Sequence, residues 1–230
     1  MSWTGRGIRV AIIDSGVNPA HPHVGVVSGG VGIGLRANSS VYLDYLGHGT
    51  AVAGAVRETA PDAELYAVKV FDRSLSTSIE KLLRAIDWAL EQRADLINVS
   101  LGTDNPDHRP AFEEAIHCAE RAGAILVAAA AGESLPGALP RVLRAAIDPS
   151  CPRGDWRWRI DSGRTCFHAS GYARPIPGVP PEQNLNGISF AVARLTGFAA
   201  RVRQARPGAT LETVEQLLME WAPAGGVATG

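Results

Sequence analysis

The sequence predicts an α/β fold, a doubly wound and mostly parallel β-sheet with helices on both faces. The first observation behind this prediction is a set of short, nearly continuous apolar segments rich in β-branched residues, which is typical of strands buried on both sides. The second is that segments with apolar residues three and four positions apart lie between them, as in amphipathic helices. This alternation favours parallel strands joined by helices that cover the sheet.

Four segments match the strand pattern. They are IRVAIID (8–14), ELYAVKVF (64–71), ADLINVSL (94–101) and AILVAAAA (124–131). The first is followed by Ser-Gly, so that Asp-Ser-Gly marks a turn at its end. We therefore expect Asp14 to close a buried strand.

The helical segments show their apolar faces clearly. The first carries Ile79, Leu82, Leu83, Ile86 and Leu90 on one face, and the second carries Phe112, Ala115, Ile116 and Ala119. From residue 133 to about 186, Pro, Gly and Arg are frequent, which predicts long surface loops with one strand near RVLRAAID (141–148). A last helix fits residues 210–222, with Thr210 as its N-cap.

Length and composition restrict the function classes. The chain has 230 residues, which suits one large domain, and its net charge of −1 gives no electrostatic reason to expect nucleic acid or an anionic membrane as partner. No apolar run is as long as a membrane-spanning helix, and the first residues lack a signal-peptide pattern, so we expect a cytoplasmic protein. The three cysteines (Cys118, Cys151, Cys166) have no CxxC spacing, which favours reduced thiols over metal ligands, with a Cys151–Cys166 disulfide as the alternative.

Polar residues gather where the predicted strands end. Asp14, the segment from Asn98 to Gly102, and Glu133 all follow strands of the predicted sheet, and ligands bind at the carboxyl ends of such strands. Asp14 alone is equally explained by a turn that its side chain stabilises. His48, between two glycines in GHGTAVAG, is by itself equally explained as a structural residue.

A serine completes a possible catalytic set. Ser189 follows Asn-Gly and precedes a run of small apolar residues, so it would lie near a helix N-terminus, either as an N-cap or as a nucleophile. A serine hydroxyl needs a base, normally an imidazole that a carboxylate orients. Asp14, His48 and Ser189 supply these three groups in the order Asp, His, Ser.

Five sequence blocks together carry a family resemblance. They are VAIIDSGV around Asp14, GHGTAVAG around His48, INVSLG (97–102), LVAAAAGE before residue 134, and NGISFAVARLTG around Ser189. In this order and spacing they resemble the subtilisin-like serine peptidases, the subtilase family. The resemblance implies that residues 1–230 form a single subtilisin-like peptidase domain.

The resemblance also implies roles for residues. Asp14 would orient His48, His48 would act as general base and acid, and Ser189 would attack the scissile carbonyl. Ser100, Leu101 and Gly102 would form the edge that pairs with an extended peptide or protein substrate. No cofactor and no metal are expected, while calcium binding and the oligomeric state are left open by the sequence.

Several positions depart from the family pattern. The family usually has an Asn where this chain has Glu133, and its amide donates to the oxyanion of the reaction, whereas a carboxyl group helps there only while it carries its proton. The positions usually held by Thr, Pro and His in the serine block are Ile188, Ala193 and Arg194, and the usual second His of the histidine block is Ala51. The alternatives for Glu133 are an alignment shifted by one residue or a substitute amide from Asn98 or Asn105.

Two functions are therefore compatible with the sequence. The first is a serine endopeptidase that acts on a selected peptide or protein, weakened to the extent that Glu133 impairs oxyanion binding. The second is a catalytically impaired pseudo-enzyme with the same fold that binds an extended peptide or protein partner. A metal site at His21 and His23, close to Asp14 in the sequence, is a weaker alternative, because His-Pro-His in a loop is poor ligand spacing.

Overall fold

A computed structural model describes residues 3–34 and 41–223 of the chain. Within these ranges, eight strands form one sheet in the order β2-β3-β1-β4-β5-β6-β8-β7, and every neighbouring pair is parallel except β7 and β8. The strands are β1 (Arg9–Asp14), β2 (Val27–Gly32), β3 (Glu64–Lys69), β4 (Leu96–Val99), β5 (Ile125–Ala129), β6 (Leu143–Ile147), β7 (Arg157–Asp161) and β8 (Arg164–Ala169). The helices are α1 (His48–Thr59), α2 (Ile79–Glu91), α3 (Arg109–Arg121), α4 (Ile188–Ala205) and α5 (Leu211–Glu220).

The predicted fold class is confirmed, with two corrections to the strands. β7 and β8 form an antiparallel hairpin inside the segment predicted to hold loops and one strand. Arg and Trp alternate in β7 (RWRID), so the hairpin lacks the apolar run that marks the buried strands. The other strand that the sequence analysis missed is β2, whose VSGGVG sequence contains two adjacent glycines and has low β propensity.

Two apolar layers cover the sheet, one on each face. Successive residues of β1 point to opposite layers: Val10 and Ile12 pack with α1, α4 and α5, whereas Ala11 and Ile13 pack with α2 and α3. Both faces of β1 are thus dry, which explains why its sequence is apolar throughout. The carboxyl ends of β1, β4 and β5 lie side by side at one edge of the layers.

Helix α4 is buried over most of its length and packs closely on α1. At Gly197 an added Cβ would lie 1.8 Å from Thr59 Oγ1, so the contact requires a residue without a side chain. Arg194, a departure from the family pattern, is fully buried and pairs with Glu58 of α1 at 2.8 Å. Its guanidinium also donates to the Arg153 and Tyr172 carbonyls, so this residue joins α4 to α1 and to two loops.

Three further expectations can be compared with the structure. Thr210 is the N-cap of α5, and its hydroxyl accepts from the Thr213 N–H, as predicted. The cysteines Cys118, Cys151 and Cys166 are free thiols, so the alternative Cys151–Cys166 disulfide is absent. Among the described helices, none combines the length and apolarity that a membrane crossing requires.

Candidate active site

Asp14 and His48 meet at the end of β1. Asp14 is 1% exposed, and its Oδ1 lies 2.7 Å from Nδ1 of His48, which is the first residue of α1. The same oxygen accepts the Ser15 backbone N–H at 2.7 Å. Because a carboxylate only accepts, the ring hydrogen lies on Nδ1, and the lone pair of Nε2 is free to act as a base.

The two glycines beside His48 are required for different physical reasons. A Cβ on Gly49 would lie 2.2 Å from the Gly16 carbonyl oxygen and 3.1 Å from Asp14 Oδ1, so Gly49 permits the close approach of α1 to the end of β1. A Cβ on Gly47 would meet nothing within 4 Å, but Gly47 has φ +82°. Gly47 is therefore needed for its left-handed backbone and not for close packing.

Asp44 organises the start of α1 and was missed by the sequence analysis. Its Oδ1 accepts from Ser15 Oγ and from the Leu46 and Gly47 N–H groups, each at 2.9 Å. Its Oδ2 accepts from the N–H of Thr50 at 2.9 Å and from the hydroxyl of Thr50 at 2.6 Å. An Asp four residues before a helix-starting His is the signal that could have revealed it, because Asp commonly accepts the free N–H groups of a first helical turn.

The charge around His48 favours its protonated form. Burial lowers the pKa of His48, but the hydrogen bond to Asp14, the charge of Asp14 and then the charge of Asp44 raise it by more, so the net shift is upward. Burial likewise raises the pKa of Asp44, and the hydrogen bonds from Thr50, Leu46 and Gly47 outweigh it, so the pKa of Asp44 is lowered. Both carboxylates thus stabilise the imidazolium that a proton transfer to His48 would form.

Ser189 lies in the first turn of α4 but is not its N-cap. Gly187 holds the N-cap position, without a capping side chain. Ser189 Oγ donates to the Ser100 carbonyl at 3.4 Å, and among the described residues no hydrogen bond joins it to His48. The phenyl ring of the next residue, Phe190, lies 5.9 Å from the His48 ring, centroid to centroid. Within the described part of the chain the Ser189 backbone N–H has no partner, as is usual for an N–H in the first turn of a helix, so it is available as a donor.

Ser100, Leu101 and Gly102 extend β4 beyond its last ladder residue. The backbone N–H and C=O groups of Leu101 and Gly102 make no hydrogen bond to any described residue, so they remain available to an added strand. The next residue, Thr103, forms an isolated antiparallel bridge with Leu135.

Gly102 packs closely against the loop that contains Ser134 and Leu135. A Cβ there would lie 2.7 Å from the Leu135 carbonyl oxygen and 2.9 Å from Ser134 Oγ. A larger residue at position 102 would therefore collide with this loop.

A cavity of about 230 Å³ opens beside this edge. Its lining joins Leu101, Gly102 and Thr103 to apolar side chains, including Phe71, Ile79 and Phe112, and to the polar residues Ser76, Thr77, Ser78 and His108. Thr77 Oγ1 and His108 Nδ1 are buried without a hydrogen-bond partner. The lining of the cavity thus combines apolar and polar groups.

Glu133 lies in the turn that follows β5. It is exposed, after Gly132 with φ +56°, so the protein does not dehydrate its carboxyl group. Of the two substitute amides, Asn98 is fully buried and its Nδ2 donates to Thr196 Oγ1, so it is not free to replace an oxyanion donor. Asn105 is exposed, and its Nδ2 lies 3.5 Å from His108 Nε2.

His21 and His23 do not assemble a metal site in the described chain. Their rings meet edge to face at 4.9 Å, and His21 Nδ1 accepts the His23 N–H at 3.2 Å. A third His, Cys, Asp or Glu ligand does not join them among the described residues.

The comparisons with known proteins agree with the fold and extend over most of the chain. A sequence model described as the subtilase family matches residues 5–147, which include Asp14 and His48 but not Ser189. Subtilisin E of Bacillus subtilis (strain 168) is 31% identical over 224 residues, which cover 89% of this chain and 58% of that protein. Subtilisin of Bacillus pumilus is 30% identical over 226 residues, covering 89% of this chain and 80% of that protein.

Among solved structures, a cold adapted subtilisin-like serine proteinase superposes with a TM-score of 0.75. The superposition covers 98% of this chain and 86% of the other, at 22% sequence identity, so it supports the fold. The chain spans little more than half the length of several curated relatives, such as subtilisin E.

Proposed function

The chain belongs to the subtilase family, and on this premise we propose that it is a serine endopeptidase that hydrolyses an extended peptide or protein. Ser189 Oγ attacks the carbonyl carbon of the scissile bond, and His48 Nε2 accepts its proton. His48 then gives that proton to the leaving amine, and water repeats the sequence to release the acyl group. The observation that carries the proposal is the 2.7 Å hydrogen bond from His48 Nδ1 to the buried Asp14, with His48 next to Phe190 in the first turn of α4.

Nucleophilic attack requires one local movement. Ser189 Oγ now donates to the Ser100 carbonyl at 3.4 Å, a long and weak hydrogen bond. Rotation about its Cα–Cβ bond exchanges this partner for His48. The free N–H of Ser189, at the positive end of the α4 dipole, is a donor for the oxyanion that forms.

The substrate binds as an added strand on the edge formed by residues 100–102. The unpaired backbone groups of Leu101 and Gly102 supply the hydrogen bonds of this pairing. The 230 Å³ cavity beside them, with its mixed apolar and polar lining, accepts one side chain of the peptide. We expect the side chain in this cavity to contribute to substrate choice.

One observation favours a second function, that of a pseudo-enzyme. Glu133 stands exposed where the family has an amide donor, which suits a pseudo-enzyme that binds an extended peptide without cutting it. The two functions predict different chemistry at Ser189 but the same peptide-binding edge.

Reaction with a fluorophosphonate probe distinguishes the two functions. We expect labelling at Ser189, located by peptide mapping, that disappears in His48→Ala. Ser134→Ala, which removes a half-buried serine near the same edge, serves as the matched control and should keep the label. A folded protein that binds an extended peptide but takes no label would favour the pseudo-enzyme.

A further inference from the structure

The hairpin of β7 and β8 brings together three side chains of the types that bind transition metals. Asp161 is the last residue of β7, and Cys166 and His168 are alternate residues of β8, so they share one face of the hairpin. One ligand atom from each lies within 4.8 Å of those of the other two. In the described part of the chain, no other His, Cys, Asp and Glu residues form such a group of three or more.

Burial leaves this group without the partners that polar atoms normally have. Cys166 is fully buried and His168 is 4% exposed. His168 Nε2 makes no hydrogen bond, and it lies 3.8 Å from Asp161 Oδ2. The Cys166 thiol has a weak 4.0 Å contact to the Phe167 carbonyl and also interacts with the Asp161 side chain. An unpaired imidazole nitrogen inside a protein is unfavourable, and a bound ligand would supply the missing partner of His168 Nε2.

The charges nearby are already arranged around the group. Arg159 Nε lies 2.8 Å from Asp161 Oδ1, which leaves Oδ2 as the oxygen that faces His168. Arg157, on the same face of β7, pairs instead with Asp148.

We propose that Asp161 Oδ2, Cys166 Sγ and His168 Nε2 bind one zinc ion. A sulfur, a nitrogen and a single carboxylate oxygen match the ligand preference of Zn²⁺, whereas Ca²⁺ and Mg²⁺ take oxygen ligands. The thiol proton passes to solvent as the sulfur binds. Arg159 forms an ion pair with the other oxygen of Asp161 and holds the carboxylate near His168 by charge attraction.

The geometry needs a modest contraction. Zinc bonds of about 2.0–2.3 Å hold tetrahedral ligand atoms about 3.5 Å apart. Asp161 Oδ2 and His168 Nε2, at 3.8 Å, are already close to this spacing, and the limit of 4.8 Å means that no pair has to approach by much more than about an ångström. Because Asp161 is partly exposed, solvent can reach the ion, and a water molecule would be the fourth ligand.

The ion would fix the outermost part of the sheet. β7 is an edge strand that pairs only with β8, and its side of the sheet is remote in strand order from β1. Zinc would tie the end of β7 to the buried residues of β8 and so stabilise the hairpin. This role is independent of the proposed peptidase activity.

Cobalt substitution in the full chain tests the proposal. Protein stripped with a chelator is titrated with Co²⁺ and followed by absorption spectroscopy. We expect one equivalent to give a thiolate-to-cobalt band in the near ultraviolet and the strong visible bands of a four-coordinate ion, and Zn²⁺ to displace it and raise the melting temperature. Absence of the thiolate band in folded wild-type protein would overturn the proposal.

Matched variants assign the ligands. Cys166→Ser should abolish the thiolate band, whereas Cys151→Ser and Cys118→Ser, which alter the other two free thiols, should keep it. Asp161→Asn, at a half-buried and more tolerant position, should keep the band but lower zinc affinity by about 10–100-fold or more. A band that persists in Cys166→Ser, or zinc affinity unchanged in Asp161→Asn, would contradict the assignment.

Discussion

The two halves of the proposed active site are held very differently. Asp14 is buried and bonded at 2.7 Å to His48, and five hydrogen bonds to Asp44 fix the turn from which His48 begins α1. Ser189, by contrast, makes one 3.4 Å hydrogen bond to a backbone carbonyl, and Glu133 is exposed in a turn. The acid–base half is organised by the protein alone.

This difference indicates where the substrate has to contribute. Asp14 is buried and His48 is only partly exposed, so the hydrogen bond between them is largely shielded from water and holds the ring in one orientation. The nucleophile half is close to solvent, and we infer that a bound peptide completes it by displacing water and drawing Ser189 toward His48. Catalytic hydrogen bonds that are long in the free enzyme commonly tighten in this way.

The largest expected effect comes from the loosely held half. Ser189→Ala should lower kcat by about 10⁶-fold, because base and carboxylate have no function without the nucleophile. Its melting temperature should stay nearly unchanged, since Gly187 is the N-cap and the Ser189 hydroxyl makes only one weak hydrogen bond. Peptide cleavage and thermal unfolding of the same preparation check both points, and substantial turnover by the variant would refute the mechanism.

Asp14→Asn tests the firmly held half. We expect kcat to fall by about 10⁴-fold, because an amide neither fixes the Nδ1–H tautomer nor stabilises the imidazolium. The acid limb of kcat/KM reports His48 in the free enzyme, and the raised pKa of His48 should place it above about 6.5.

The direction of the pH change follows from the base having to be neutral. Activity is lost as the pH falls through the pKa of His48, so removing the Asp14 charge should move this limb to lower pH. The residual rate of Asp14→Asn, measured between pH 5 and 9 with His48→Ala as background, provides the comparison. An unshifted limb would mean that Asp14 does not control His48.

The same contrast separates what the sequence could predict from what it could not. β1, α2 and the catalytic blocks follow from short-range patterns, and the family resemblance and the fold class are confirmed. Asp44 was missed because its partners, Ser15 and Thr50, lie on opposite sides of it in the chain. The spacing of the cysteines in the sequence did not indicate a metal site. Asp161, Cys166 and His168 come together only through the register of the β7–β8 hairpin, for which the Ser162-Gly163 turn is the one local signal.

Glu133→Asn should strengthen the loosely held half. A neutral amide replaces a carboxylate that repels the forming oxyanion, so we expect kcat to rise about tenfold, below the 10²–10³ that one such donor typically contributes. Glu133→Ala removes the charge without adding a donor and should fall between wild type and Glu133→Asn. Steady-state kcat of the three proteins tests this order, and a slower Glu133→Asn at every pH would show that Glu133 has another function.

Asp44→Asn tests how far the firm half depends on the loop that supports it. Asn has an NH₂ group in place of one carboxylate oxygen, so it cannot accept all the hydrogen bonds that Asp44 accepts. We expect the free energy of unfolding to fall by about 1–2 kcal/mol at pH 7. For a chain of this size that corresponds to a melting temperature lower by roughly 2–8 °C. Activity should fall only a few-fold, because the Asp14–His48 hydrogen bond remains, and the acid limb should move slightly to lower pH as one charge near His48 disappears.

The pH dependence of this stability loss identifies its cause. The pKa of Asp44 is lowered in the folded protein, so its carboxylate stabilises the fold above the unfolded pKa of about 3.9, and that contribution disappears as the pH falls through the lower folded value. The difference in melting temperature between wild type and Asp44→Asn should therefore be full at pH 7 and shrink below about pH 4. Asp87→Asn, an exposed change on α2, should show no comparable difference at either pH. If Asp44→Asn and wild type melt together at pH 7, the hydrogen bonds of Asp44 do not hold the start of α1, and the contrast between the two halves rests on Asp14 and His48 alone.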